Sequence, residues 1–513
     1  MHIRTYHPND LAQMAQLFYD TVHAVCAQDY APQQLHAWAD GKPDLALWQQ
    51  RFQNSLTLVM EEKGALIGFA DMEVSGHLDM LYVHKDHQRK GVAARLCDAL
   101  EQANRVPRYT VEASVTARGF FEKRGYFVAD KHIAVRNGVE IPNYIMEKKL
   151  QRTGMLYIHI PFCARKCAYC DFVSYAGCQD RMTAYVDALI REMDARPSEQ
   201  VITSVFLGGG TPSLLPAQEL ERLLAAVQEK YRIAPRCEMT SECNPGTVTA
   251  EWLQTAVRGG INRLSMGVQT VQSELLQKIG RIHDFGQVEE TFRMAREAGI
   301  MNISADLMYA LPGQTLEMWT QSLEEMMKLQ PQHLSCYALI VNEDTPFGAL
   351  EAAGKLHRPD EDEEMQMQTV TAQVLAKHGL YQYEVSNYAK PGFACRHNVG
   401  YWTRRDYIGL GCAAHSLEGN VRRSNVCGLE EYISGAGFAE EEVLSPEDAA
   451  FEELMLGLRM VEGTNLTPFA GVLFADALQK QCAHGLMRRQ EQRVNLTARG
   501  FDVMNTVLTE LMP

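Results

Sequence analysis

From Met155 onward the chain alternates short β-branched or apolar runs with longer amphipathic stretches, and this alternation leaves it few folds to choose from. Strands are expected at 155–160, 203–207, 238–242, 263–268, 302–307 and 333–340. Helices are expected between them, at 180–195, 216–230, 284–298 and 316–328. Strands joined through helices run parallel, because a tight hairpin has no room for the crossover. The expectation is an α/β fold in which a parallel sheet carries its helices outside, as a barrel or partial barrel. Chemistry in such folds gathers at the carboxyl ends of the strands.

Cys163, Cys167 and Cys170 fall just past the first of these strands. The chain has 13 cysteines, an odd number, and the other ten are scattered singly, which does not suit a disulfide framework. With no export signal and no apolar run long enough to span a bilayer, the pattern points to a reducing cytoplasm and a metal site. Three thiolates at this spacing suit three irons of a [4Fe–4S] cluster. The fourth iron is left for an outside chelator, and the amino and carboxylate groups of S-adenosylmethionine (SAM) fit that place. Zinc prefers four ligands and paired Cys-x-x-Cys knuckles. The next strands deliver Gly208-Gly209-Gly210-Thr211-Pro212, Glu242, Gln269 and Asp306 to the same rim. Glycines there let a ligand approach the backbone closely.

Residues 155–513 resemble the radical SAM proteins related to oxygen-independent coproporphyrinogen III oxidase (HemN), and in particular the heme chaperone branch, HemW. The matching stretches include Tyr157-Ile-His-Ile-Pro-Phe-Cys163, Gly208-Gly-Gly-Thr-Pro-Ser213, Glu242-Cys-Asn-Pro-Gly246, Arg263-Leu-Ser-Met-Gly-Val-Gln269, Gly280-Arg-Ile-His-Asp284 and Asp306-Leu-Met-Tyr-Ala-Leu-Pro-Gly-Gln314. The resemblance implies a partial TIM-type barrel with the cluster on Cys163, Cys167 and Cys170. It implies Tyr157 against the SAM methionine and Gly209 at its amino group. Glu242, Gln269, Arg281 and Asp306 would surround the carboxylate, ribose and nearby polar atoms, with Tyr169 near the adenine. Gly210, Thr211 and Ile340 would line a second SAM position. A reduced cluster would pass one electron to the SAM sulfonium, releasing methionine and a 5′-deoxyadenosyl radical.

Two marks separate the branches. In the oxidases the cysteine motif continues as Cys-x-x-x-Cys-x-x-Cys-x-Cys, whereas here the last place holds Phe172, as in the chaperone branch. Cys395-Arg-His397-Asn398-Val-Gly-Tyr401-Trp402 contains that branch's His-Asn-x-x-Tyr-Trp motif. The resemblance then implies heme binding and delivery to acceptor proteins such as respiratory cytochromes. The alternative is oxidative decarboxylation of coproporphyrinogen III. His397 would offer heme iron a neutral imidazole, with Tyr401 and Trp402 stacking on the porphyrin. Read without the family, the same residues are a hydrogen-bonded histidine and core aromatics. The chain departs from the frequent Asp-Leu-Ile-Tyr-Gly-Leu-Pro pattern at Met308 and Ala310.

Residues 1–150 carry a different signature. An expected strand at 78–83 runs through Gln88-Arg89-Lys90-Gly91-Val92-Ala93 into a helix from Ala94 to about Ala103. A glycine turn between strand and helix makes a pyrophosphate cradle of free N–H groups. The order around it resembles a GNAT-type N-acetyltransferase, with Asn9-Asp-Leu-Ala at its opening and Ala113-Ser-Val-Thr-Ala117 through Gly125-Tyr126 as its later motif. The resemblance implies an α+β domain with acetyl-CoA beside strand 78–83 and its pyrophosphate on Lys90, Gly91, Val92 and Ala93. Many relatives place a general-acid tyrosine where this chain has Phe121, which leaves Tyr126, Tyr82 or a water for that role. The acceptor amine is unknown.

Three domains are expected: 1–150, 155–440 and a small helical or winged-helix-like domain at 441–513. The polar stretch 148–154 joins the first two. The last has helices expected around 446–460, 468–480 and 498–511 and a strand at 493–496. A formal net charge of −15 argues against non-specific nucleic-acid binding.

Overall fold

The computed structural model describes residues 1–52, 55–73, 75–104, 106, 108–149 and 152–512. Two compact units emerge. One joins Met1–Gln151 to Val443–Leu458 and Gly463–Pro513, and the other holds Arg152–Glu442 with Arg459–Glu462. The C-terminal segment, expected as a separate domain, thus groups with the N-terminal sheet. Of the expected linker, Leu150 and Gln151 lie outside the described residues, and Thr153 and Gly154 already belong to a strand.

The first unit is built on a seven-stranded sheet. Its opening strand is His2–Thr5, as the sequence suggests. The strands pair antiparallel except at one place, where His77–Val83 runs parallel to Arg108–Ser114. Those two pair only at His77 with Thr110 and Leu78 with Val111, and beyond these positions they part. The helix Val92–Ala103 starts beside this wedge, with Gly91 as its N-cap at φ +82°, a left-handed conformation that glycine adopts without strain. The C-terminal segment adds a three-stranded sheet, including Arg493–Leu496, and short helices. The expected helix at 468–480 is two, Pro468–Leu473 and Ala475–Ala483, parted at Phe474, which is buried.

The second unit holds the partial barrel. Six strands lie side by side in parallel in chain order: Thr153–Ile160, Val201–Gly209, Arg232–Cys243, Arg263–Gln269, Asn302–Tyr309 and His333–Ala338. Tyr407–Leu410, absent from the expected strands, pairs in parallel with the free side of the first. Asn387–Ala389 closes the other side antiparallel to the sixth. The crossover helices begin where side chains cap them. Thr249 and Thr315 accept N–H bonds from Trp252 and Met318, and Asp284 and Gln287 form a reciprocal capping box. Their inner faces bury Leu223, Trp252, Phe292 and Trp319 against the sheet.

Ala310, just past the fifth barrel strand, is fully buried with φ +58°. This is the place where the family pattern has glycine, and a Cβ makes the left-handed conformation unfavourable. Ala310→Gly is expected to stabilise the barrel unit by about 1 kcal/mol. Denaturant unfolding of the full chain checks this, and an unchanged or lower midpoint contradicts it.

Candidate functional site

The cysteine loop is tied at its base. Phe162–Cys163 pairs in parallel with Tyr175–Ala176, closing the intervening segment into a loop at the carboxyl end of the first barrel strand. Ala168 N–H donates to the Ile279 carbonyl at 3.0 Å, and Phe347 N–H donates to the Ala168 carbonyl at 3.0 Å, so two other rim loops hold it. Cys163, Cys167 and Cys170 are half-buried free thiols. Among the described residues no three His, Cys, Asp or Glu side chains are grouped to hold a single metal ion. A cubane instead takes one soft thiolate at each of three iron corners, and three thiols spread along one anchored loop suit that.

A polar chain runs from this loop across the rim. The Cys163 thiol lies 3.6 Å from the Thr211 hydroxyl, which accepts a bond from Asn244 at 2.8 Å. Arg281 donates to Asn244 Oδ1 at 2.6 Å and to the Tyr169 hydroxyl at 3.0 Å. Thr211, expected at a second SAM position, is therefore joined to Tyr169 and Arg281 through Asn244, to which sequence reasoning gave no role. The buried Arg281 Nε has no hydrogen-bond partner among the described residues, which leaves one donor for a bound group.

His159 was also missed. Its Nε2 meets the Val173 carbonyl at 2.8 Å and its Nδ1 the Tyr157 hydroxyl at 3.0 Å, locking the far end of the cysteine loop. A Cβ on Gly209, at φ +102°, would stand 2.3 Å from the His159 ring, so only glycine fits there. Alternation along the first strand, Tyr157 and His159 facing one way, is the sequence signal that pairs these two.

Two carboxylates at the rim, Glu242 and Asp306, lie within reach of the Arg263 and Arg281 charges, and both are nevertheless raised. Glu242 accepts the Gly209 N–H at 3.0 Å. Burial, followed by the nearby Asp306 carboxylate, pushes its carboxyl up to about 8. Asp306 accepts from Ser265 at 3.2 Å and is likewise raised by burial. Gln269, buried at φ +68°, accepts from the Tyr337 hydroxyl at 3.2 Å. Two buried carboxylates suit a ligand that brings positive charge, as the SAM ammonium and sulfonium do. Gly210 follows the same bend, its N–H donating to the Ile160 carbonyl at 2.8 Å. Ile340 is 73% exposed beyond the sixth strand, and Phe172 is 62% exposed on the cysteine loop.

His397, the heme candidate, is held inside the barrel by its own neighbours. Its Nδ1 meets the Ser204 hydroxyl at 2.9 Å and its Nε2 the Tyr401 hydroxyl at 3.1 Å. The ring is 1% exposed and stacks on Phe206 with centroids 5.1 Å apart. Burial, with the Arg263 charge, pushes it down to about 3. As placed, both ring nitrogens are engaged. Tyr401 packs edge-on to Tyr407, and Arg459 lies over the Trp402 ring at 5.6 Å, while both residues are half-buried.

In the first unit, the helix Val92–Ala103 has no side-chain cap. The N–H groups of Val92 and Ala93 are left for an anion, with Lys90 exposed beside them. This cradle fits the pyrophosphate of acetyl-CoA, and the wedge between the parted strands fits its pantetheine arm. Tyr126 is elsewhere. It is 3% exposed, bonded to Glu101 at 3.2 Å near the other end of that helix, and packed on Phe121. Tyr82, by contrast, lines a cavity.

Three family models match the chain. They are the radical SAM superfamily over residues 157–326, the acetyltransferase (GNAT) domain over 26–149 and the HemN C-terminal domain over 444–503. The heme chaperone HemW of Lactococcus lactis is 36% identical over 71% of this chain and 98% of its own length. The chain belongs to the HemW family. HemW of Bacillus subtilis is 37% identical over 68% of this chain and 97% of its own. The coproporphyrinogen III oxidase HemN of Escherichia coli has the same barrel fold, at TM-score 0.63 and 24% identity over 71% of this chain and 90% of that one. HemW-family membership and the radical SAM match imply a [4Fe–4S] cluster and SAM, and the GNAT match implies acetyl-CoA. No helix among the described residues is long and apolar enough to cross a membrane.

Glu242 supplies the prediction for this site. An unfolded glutamate titrates near 4.5 and the folded one at about 8. The protonated folded form therefore contributes stability that is complete below about 4.5 and is lost as pH rises through 8. Glu242→Gln should stabilise the ligand-free chain at pH 8 by at least about 1 kcal/mol and flatten the pH dependence. It should also weaken SAM binding about tenfold or more, through loss of a charge-assisted contact. Thermal unfolding at pH 5 and pH 8 with SAM calorimetry reads both effects, and a variant less stable at pH 8 refutes the first.

Proposed function

We propose that this chain binds heme and passes it to acceptor proteins in a reducing, cytoplasmic setting. In this reading the cluster and SAM at the barrel rim govern the transfer, and the N-terminal domain moves an acetyl group from acetyl-CoA to an amine. The observation that carries this reading is the match to proteins named heme chaperone HemW over nearly their whole length. Phe172, standing where the oxidases continue their cysteine motif, supports it. The likeness to HemN concerns the fold.

Cys163, Cys167 and Cys170 would hold the cluster, which when bound supplies one-electron reduction of the SAM sulfonium. The rest is the work of the chain. Glu242 and Asp306 hold negative charge against the ligand's cationic groups, and Arg281 and Tyr169 fix its other side. His159 and Gly209 let the ligand lie against the backbone.

Anaerobic reconstitution with iron and sulfide, then heme titration, tests the reading. Wild type should give a heme spectrum and, with reductant and SAM, no conversion of coproporphyrinogen III. Substantial turnover of that porphyrinogen would sink the chaperone function. His397→Ala should keep heme binding within about threefold while lowering stability by about 2 kcal/mol, since it removes a buried, twice-bonded ring. Loss of the heme spectrum in a folded His397→Ala protein would return His397 to the iron.

A further inference from the structure

The first unit contains a cavity of about 190 Å³ beside Tyr82, on the strand that borders the acetyl-CoA wedge. Its size is below the roughly 300–1,000 Å³ of drug-sized pockets, so it takes one small molecule. Phe18, Trp38, Trp48 and Tyr82 wall it with aromatic faces. Phe18 meets Trp48 and Tyr82 edge-on, at centroid distances of 5.5 and 4.8 Å, which makes the wall continuous.

Charges of both signs enter the same space. The strand His77–Val83 carries a bulge, in which Asp71 pairs with Met80 and Met72 with Leu78, leaving Asp79 as the extra residue. A bulge re-aims a side chain, and Asp79 lines the cavity, ion-paired with Arg51. The bulge is held from behind by Asp71, whose carboxylate accepts the Met80 N–H at 3.0 Å. On the other side stands Arg136, exposed and with no ion-pair partner among the described residues, its charge felt by the Tyr82 hydroxyl.

We propose that this cavity is the acetyl-acceptor site and that its substrate is a free α-amino acid with an aromatic or large apolar side chain. The inference rests on the acetyltransfer reading above and supplies its acceptor. Arg136 takes the carboxylate, Asp79 holds the ammonium, and the side chain lies among Trp38, Trp48 and Phe18. A simple aromatic amine would leave Arg136 without a partner, and a protein N-terminus has no free carboxylate on the residue it offers. In the reaction the ammonium first gives one proton to water at the cavity mouth. The nitrogen lone pair then forms the C–N bond to the thioester carbonyl carbon and the C–S bond breaks. The leaving thiolate takes the Tyr82 hydroxyl proton, and the second proton lost from nitrogen restores Tyr82. The products are the N-acetyl amino acid, coenzyme A and one proton.

The test uses the full-length chain, acetyl-CoA and L-phenylalanine or L-tryptophan, with thiol release followed continuously. Saturable turnover is expected, with a KM at least tenfold lower for phenylalanine than for phenylethylamine, which lacks only the carboxylate. Arg136→Ala, at an exposed position whose loss leaves the fold intact, should raise the phenylalanine KM at least tenfold and leave the phenylethylamine KM unchanged. Phenylethylamine used better than phenylalanine, or an Arg136→Ala variant with an unaltered phenylalanine KM, overturns the assignment. Acetyl-CoA calorimetry separates the two levels. Acetyl-CoA bound with no amino acid acetylated sinks the acceptor alone, whereas no acetyl-CoA binding removes the acetyltransfer reading as well.

Discussion

Parallel pairing in the barrel sheet fixes where charge is buried. Register sets Gly209 opposite Ile160, Glu242 opposite Ser265 and Gly267 opposite Asp306, so the strand ends arrive together at one rim. Glu242 and Asp306 are thereby forced into one buried neighbourhood, where burial raises the proton affinity of both and the Asp306 charge raises that of Glu242 further. A bound cation would offset the Asp306 charge felt by Glu242, so the site is suited to be stabilised by such a ligand. Asn244 and Arg281 carry the same constraint round to Tyr169 and the cysteine loop.

The opposite end of the strands shows the same economy with a different result. Glu238 accepts the N–H groups of Arg396 and His397 at 2.8 and 3.2 Å, a carboxylate at the start of the helix Arg396–Trp402. That helix then sets His397 between Ser204 and Tyr401. The His-Asn-x-x-Tyr-Trp stretch thus acts in this fold as a polar seal on the barrel interior. His397 and Tyr401 have a structural account without a ligand, whereas the buried Trp402 Nε1 has no hydrogen-bond partner among the described residues.

The regular part of this architecture was legible in the sequence. Six strands fell within a few residues of their expected places because buried parallel strands and amphipathic helices have distinct apolar patterns. The strands Tyr407–Leu410 and Asn387–Ala389 were missed, since a four- or three-residue strand is too short to show a period. At the rim, the motif residues Thr211, Glu242, Arg281 and Tyr169 stand at the carboxyl ends of the strands, but the residues that join and brace them were not foreseen. Asn244 acts through side-chain contacts with Thr211 and Arg281 from other segments, which linear spacing does not encode, whereas the His159–Tyr157 pair could have been read from strand alternation. Tyr126 illustrates the converse: it lies in the right motif, but its hydroxyl is captured by Glu101. The bulge at Asp79 depends on pairing with a neighbouring strand and left no mark in the chain itself.

His397 brings these threads together, because protonation and access give opposite answers there. Its depressed proton affinity keeps the imidazole neutral at physiological pH, which is the form iron needs. What stands in the way is access. Ligation through Nε2 would break the Tyr401 bond, and each such bond contributes about 0.5–1.5 kcal/mol net. A porphyrin edge would also have to pass Phe206 and displace the helix that Glu238 holds. Losing that helix start would leave the Glu238 carboxylate buried without its donors, which costs more than either bond alone. An iron–imidazole bond at this ring therefore requires the seal to open as a unit. Heme that binds while the seal stays closed must take its ligand from another side chain.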